Sequence, residues 1–100
     1  MNIALDYDET YTKDPRFWDM VISAAKHREH TVYCVTMRSA SEIDEVVRDL
    51  GDKVDAIFGT NREAKEKYMF KQGIWIDVWI DDSPYFVLNH GRPATVLGEV

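Results

Sequence analysis

Four short runs of apolar and β-branched residues, at 2–6, 31–36, 54–58 and 76–81, alternate with longer stretches of helical periodicity, and few folds accommodate that order. The runs are near-continuous in apolar character, which is the pattern of strands covered on both faces. A weaker fifth run lies at 95–97. Strands and helices in repeated alternation, joined by right-handed crossovers, make a parallel sheet between two layers of helices. The expected fold is therefore α/β, a three-layer sandwich with a central parallel sheet of four to five strands, and residues 1–100 form one domain. The chain is 45% hydrophobic and 12% aromatic, enough to fill such a core.

The intervening helices carry their own punctuation. Asp14 before Pro15 places a capping side chain ahead of a proline at the first helical position. Phe17, Val21 and Ala25, with Trp18 and Ile22 beside them, then form an apolar face. Ser39-Ala40-Ser41-Glu42 and Thr60-Asn61-Arg62-Glu63 both have capping-box spacing, so the third helix is expected to begin near Asn61. Ile43, Val46, Val47 and Leu50 form the stripe of the second helix, and Gly51 and Gly73 are expected as left-handed stops. Ser83-Pro84 opens a short fourth helix reaching Leu88.

Charge disfavours one class of partner. Twelve Lys and Arg against 18 Asp and Glu leave −6 at pH 7, whereas a whole-surface nucleic-acid binder gains its affinity by neutralising phosphates. No apolar run approaches the ~20 residues of a membrane helix, and the single cysteine, Cys34, has no internal disulfide partner. A soluble, cytoplasmic protein is expected, with no membrane partner and with nucleic acid not favoured.

In parallel sheets reactive groups gather beyond the carboxyl ends of the strands. The first strand runs into Asp6-Tyr7-Asp8-Glu9-Thr10, the second ends at Thr36, and the fourth runs into Asp81-Asp82-Ser83-Pro84. All three clusters would emerge at one edge. Asp6 and Asp8, two apart in extended chain, can point to one side, with Asp81 or Asp82 facing them. Converging carboxylates repel one another, and an arrangement of this kind persists most readily around a cation. Hard oxygen ligands favour Mg²⁺, which commonly takes one or two carboxylates plus a substrate phosphate. The matching chemistry is attack on phosphorus by one aspartate while a second handles protons. A lone Asp-x-Asp says little. The conjunction of all three clusters is far more specific.

That conjunction resembles the motif set of the haloacid dehalogenase (HAD) superfamily: Asp6-x-Asp8-x-Thr10, then Thr36, then the acidic pair Asp81-Asp82. The similarity runs from the first strand to the fourth helix. It implies a Mg²⁺-dependent phosphatase in which Asp6 is the nucleophile and a metal ligand. Asp8 would be the general acid/base, touching the metal through its backbone carbonyl. Thr36 would bond the phosphoryl oxygens, Asp81 would complete the metal shell directly or through water, and Asp82 would stand beside it. Thr10 would shape the loop, and Arg38 is a further candidate for substrate contact. The family also has a site cation near the start of the helix before the fourth strand, for which Lys65, Lys67, Lys71 and Arg62 are available. Lys65 is favoured by its position near the helix start; its bland role would be a solvated lysine paired with a neighbouring acid.

The resemblance departs from the family in one respect. Only residues 11–14 separate the first motif from its helix, so no cap domain fits and a minimal, capless member is implied. Tyr11 and Trp18 would then be the nearest cover for an open site. Such members act on large or macromolecular phosphorylated substrates or borrow a partner subunit as a lid. Expected partners are thus a phosphorylated small molecule or macromolecule, with a second copy or another subunit over the site. An aspartate at position 8 favours phosphomonoester hydrolysis over dehalogenation. Rival readings are a catalytically silent domain that binds Mg²⁺ or a partner, and a regulatory domain that binds phosphate and Mg²⁺, as receiver domains do. In those, however, the acidic pair follows the first strand and the acceptor the third, whereas here Gly59-Thr60 follows the third.

Other polar residues are expected to be structural. His27 and His30 should lie at the opposite edge of the sheet, His90 in a loop, and Cys34 in the core as a small hydrophobe. Trp75 and Trp79 suit core or strand-edge packing, and exposure of either would indicate a dimer interface.

Overall fold

The computed structural model describes residues 1–92. Four strands, β1 (Asn2–Leu5), β2 (Thr31–Thr36), β3 (Ala56–Gly59) and β4 (Val78–Ile80), form one sheet in the order β3-β2-β1-β4. All three pairings are parallel, with Leu5 opposite Cys34 and Ile80, and Thr36 opposite Gly59. Four helices connect or follow them: α1 (Pro15–His27), α2 (Asp44–Leu50), α3 (Lys65–Lys71) and α4 (Tyr85–Leu88). The expected α/β class and parallel sheet are observed. The fifth run, at 95–97, lies outside the described residues. Among those residues no helix is long and apolar enough to cross a membrane.

The period of two along each strand sorts the core into two clusters. Leu5, Val32 and Cys34 face one way, joining Ile22 of α1 and Val46 and Leu50 of α2, with Ile57 and Ile80 packed alongside. Ala4 and Val35 face the other way, joining Met69 of α3 and Ile76, with Tyr33, Phe58 and Trp79 against them. Helices α1 and α2 therefore cover one face of the sheet and α3 the other. Only the inner strands are covered as the sequence suggests: β3 is half-buried throughout and Val78 of β4 is exposed, because both are edge strands.

Several local expectations are corrected. Asp14 does cap α1, accepting from the Phe17 N–H at 3.3 Å, but Phe17 itself is half exposed and the buried face centres on Ile22. Val47 likewise turns outward, leaving Val46 and Leu50 as the buried pair of α2. Gly73 has the expected positive φ of 77°. Gly51 does not: its φ is −56°, and the glycine is needed because a Cβ there would lie 2.5 Å from the Val47 carbonyl oxygen. The Ser39–Glu42 cap forms, with the Ser39 N–H donating to Glu42 Oε1 at 2.9 Å, although it closes a 3₁₀ turn ahead of α2. The other proposed box does not form. Asn61 and Arg62 have φ of 52° and 67°, the Thr60 hydroxyl donates instead to the Glu63 carbonyl, and α3 starts only at Lys65.

Leu50 is wholly buried between α2 and the sheet. Leu50→Ala should destabilise the protein by about 2–5 kcal/mol, as measured by urea unfolding.

Candidate metal and phosphate site

The carboxyl edge of the sheet carries the site. Asp6 follows β1 directly, and its N–H still donates to the Ile80 carbonyl at 2.9 Å, so its carboxylate is held by an extension of the β1–β4 ladder. Asp81 follows β4 in the same way, and Thr36 is the last residue of β2. Lys65, the first residue of α3, reaches in from the helix layer. Its Nζ donates to Asp6 Oδ1 at 2.8 Å and to Asp81 Oδ2 at 2.5 Å. These three side chains are almost wholly buried.

Thr10 ties the first loop to the last. Its hydroxyl donates to Asp6 Oδ2 at 2.9 Å and accepts from the Asp82 N–H at 3.1 Å. The Ser83 N–H donates to Asp81 Oδ1 at 2.9 Å, turning the chain into α4. One oxygen each from Asp6, Asp81 and Asp82 lies within 4.8 Å of the others. Spacing and donor type both suit a hydrated divalent cation, and the cluster could hold one.

Burial sets the electrostatics. It pushes the Asp6 carboxyl up from its ordinary value to about 6, against the opposing pull of the Lys65 ammonium. Burial also works against the charge on Lys65, but Asp6 and Asp81 together outweigh it and its pKa lies above that of a free lysine. Removing the cation would leave two carboxylates facing each other in a poorly solvated place.

A cavity of about 230 Å³ opens over this group, lined by Asp6, Asp8, Thr36, Lys65, Asp81 and Asp82. Asp8 stands at the cavity apart from the cluster of three. Its carboxylate takes both Nη2 and Nε of Arg38, at 2.8 and 3.0 Å, while the Arg38 guanidinium lies over the Tyr7 ring. Thr36 is buried, and its Oγ1 accepts from the Arg38 N–H at 3.3 Å.

Of the four candidate cations only Lys65 reaches the aspartates. Lys71 pairs with Glu63, Arg62 pairs with Glu42, and Lys67 is exposed. Tyr11 and Trp18 do not cover the site. Tyr11 belongs to the core under α1, where its hydroxyl donates to Asp19 at 2.7 Å, and Trp18 packs against the same cluster. The apolar wall comes instead from Met37 and Phe86. The Ser83-Pro84 turn was the available signal for Phe86, because a helix starting there must pass beside the acidic pair. His30 lies at the far edge, at the start of β2, with its Nδ1 2.8 Å from the terminal amine. His90 is in a loop, as expected, but its ring accepts from the Ala64 N–H at 2.9 Å. Cys34 is fully buried, and burial pushes its thiol up to about 12.

No family model, curated protein or solved structure matches this chain.

A divalent cation that binds the folded form alone must stabilise it, by about 2.7 kcal/mol at a hundred times its Kd. The melting temperature is expected to rise on adding a divalent chloride, and the rise should shrink in Asp82→Asn. An unchanged melting temperature across Mg²⁺, Mn²⁺ and Ca²⁺ would contradict a cation site.

Proposed function

We propose that this protein is a Mg²⁺-dependent phosphomonoester hydrolase of the HAD type, without a cap domain, working through an aspartyl-phosphate on Asp6. The observation that carries this reading is the buried Asp6–Lys65–Asp81 bridge at the floor of a cavity that Thr36, Asp8 and Asp82 also line. A structural ion pair needs no such opening. A nucleophile does.

Asp6 is aimed by two hydrogen bonds, from Lys65 to one oxygen and from Thr10 to the other. Its carboxylate attacks the phosphorus of the ester, forming an acyl phosphate as the bond to the leaving oxygen breaks. Thr36 and Lys65 hold phosphoryl oxygens through the change in geometry. Asp8 gives its proton to the leaving oxygen. It then takes one from the water that attacks phosphorus, which frees Asp6 and releases phosphate. Asp6, Asp81 and Asp82, with the Asp8 carbonyl, would hold Mg²⁺, whose bound charge offsets that of a phosphate entering among carboxylates.

Asp8 must leave Arg38 to do this work. The Asp8 side chain is 51% exposed, so water can replace the guanidinium on its carboxylate as the pair opens, and the gain set against that opening is the roughly 10²–10⁴-fold expected of acid–base catalysis. The open cavity suits either a small phosphate ester or a phosphorylated group on a macromolecule.

Purified protein should hydrolyse an aryl phosphate only when Mg²⁺ is present, and Asp6→Asn should abolish turnover. Phosphoprotein that accumulates without turnover would favour the receiver-like reading. Asp8→Asn should slow turnover about 10²–10⁴-fold while keeping the cation-induced rise in melting temperature. Loss of that rise would contradict the role given to Asp8.

A further inference from the structure

We propose that the face built by α3 and α4 is the surface on which two copies of this chain associate. Phe70, Trp75, Tyr85 and Leu88 are 70%, 61%, 64% and 67% exposed, a concentration of large apolar side chains on a chain of 100 residues. Phe70, Trp75 and Leu88 border one groove of about 360 Å³ whose floor includes the buried Val87. Tyr85 lies one turn before Leu88 on α4. At about 150–250 Å² for each aromatic side chain, these four expose roughly 500 Å² of mostly apolar surface. That is the upper part of what a monomer ordinarily shows, and it would form the centre of an interface needing about 800 Å² from each partner.

The charges at the groove say what fits it. Glu66 and Lys67 both line it, and neither side chain has a hydrogen bond or ion pair with any described residue. One acid beside one base is self-complementary under a two-fold axis, since residue i then meets residue j and j meets i. A partner of strongly basic or acidic character would satisfy one of them and oppose the other. A second copy satisfies both. The groove shares no lining residue with the cavity over Asp6, although Tyr85 of the same face packs edge-on against Phe86 of the cavity wall, ring centroids 5.3 Å apart.

The net charge of −6 adds a signature. Two copies repel at long range while the patch itself is neutral, so screening by salt should strengthen association, the reverse of an interface held by opposite net charges.

Sedimentation equilibrium of the full chain should show a concentration-dependent species of twice the 11.6 kDa chain mass, more populated at high salt. Trp75→Glu or Phe70→Glu should raise its dissociation constant about 30-fold or more, the loss expected of a central aromatic anchor. Both side chains are exposed in the monomer, so far-ultraviolet circular dichroism should be unchanged. Glu66→Lys and Lys67→Glu should each weaken association, and the double variant should restore it. A chain that stays monomeric at every concentration and salt overturns the proposal. So does a dimer indifferent to Trp75→Glu and Phe70→Glu, or a double variant as weak as the single ones.

Discussion

The Lys65 ammonium between Asp6 and Asp81 is the contact on which this molecule's layout turns. It joins the first residue of α3 to the residues that follow β1 and β4, and so locks one helix layer to two neighbouring strands. Almost everything else about Lys65 is unfavourable. It is 2% exposed, and a positive charge in the first turn of a helix opposes the helix dipole. The loop that delivers it holds Asn61 and Arg62 in left-handed conformations, at roughly 1–2 kcal/mol each for residues bearing a Cβ. Two carboxylates offset these costs. Opposing charges keep the lysine there at a cost in desolvation, since buried ion pairs are seldom better than apolar packing.

A second carboxylate–cation pair stands close by and behaves differently. Asp8 and Arg38 have the better geometry, with two bonds in parallel, yet Asp8 faces water where Asp6 does not. Geometry and burial are thus divided between the two pairs. The wet pair can exchange partners at little cost, whereas the dry one cannot. This division matches the roles proposed for them, one aspartate mobile enough to carry protons and the other fixed enough to attack.

Strands and the motifs closing them were legible in the residues. Thr36 ends β2 while Asp6 and Asp81 directly follow β1 and β4, and such positions in a parallel sheet share an edge whatever the details of packing. Lys65 was legible too, though for an imperfect reason: it was placed within a helix starting near Asn61, and it proves to be that helix's first residue. Thr60-Asn61-Arg62-Glu63 satisfies the capping pattern, but Thr60 follows β3 too closely to start a helix. Its N–H is still bonded to the Thr36 carbonyl. Capping patterns report local preference, and here the sheet overrides it. Phe86 had the Ser83-Pro84 turn as its signal, but the lining by Met37 was not legible, since it depends on how loops from distant strands lean together. The same is true of Tyr11, an aromatic beside the motif whose ring faces the core and not the cavity.

One small contact reaches further than its size suggests. Beyond α4 the chain returns to the loop ahead of α3: His90 accepts from the Ala64 N–H, and the Gly91 N–H donates to the Arg62 carbonyl at 2.8 Å. A side chain at Gly91 would crowd Met37 and Arg62. The segment that braces the loop ahead of Lys65 therefore comes after every residue that lines the cavity. In a growing polypeptide the aspartates, the threonine and the lysine would all have emerged before this strap, so the loop ahead of α3 gains these two hydrogen bonds only after the stretch beyond α4 has been made.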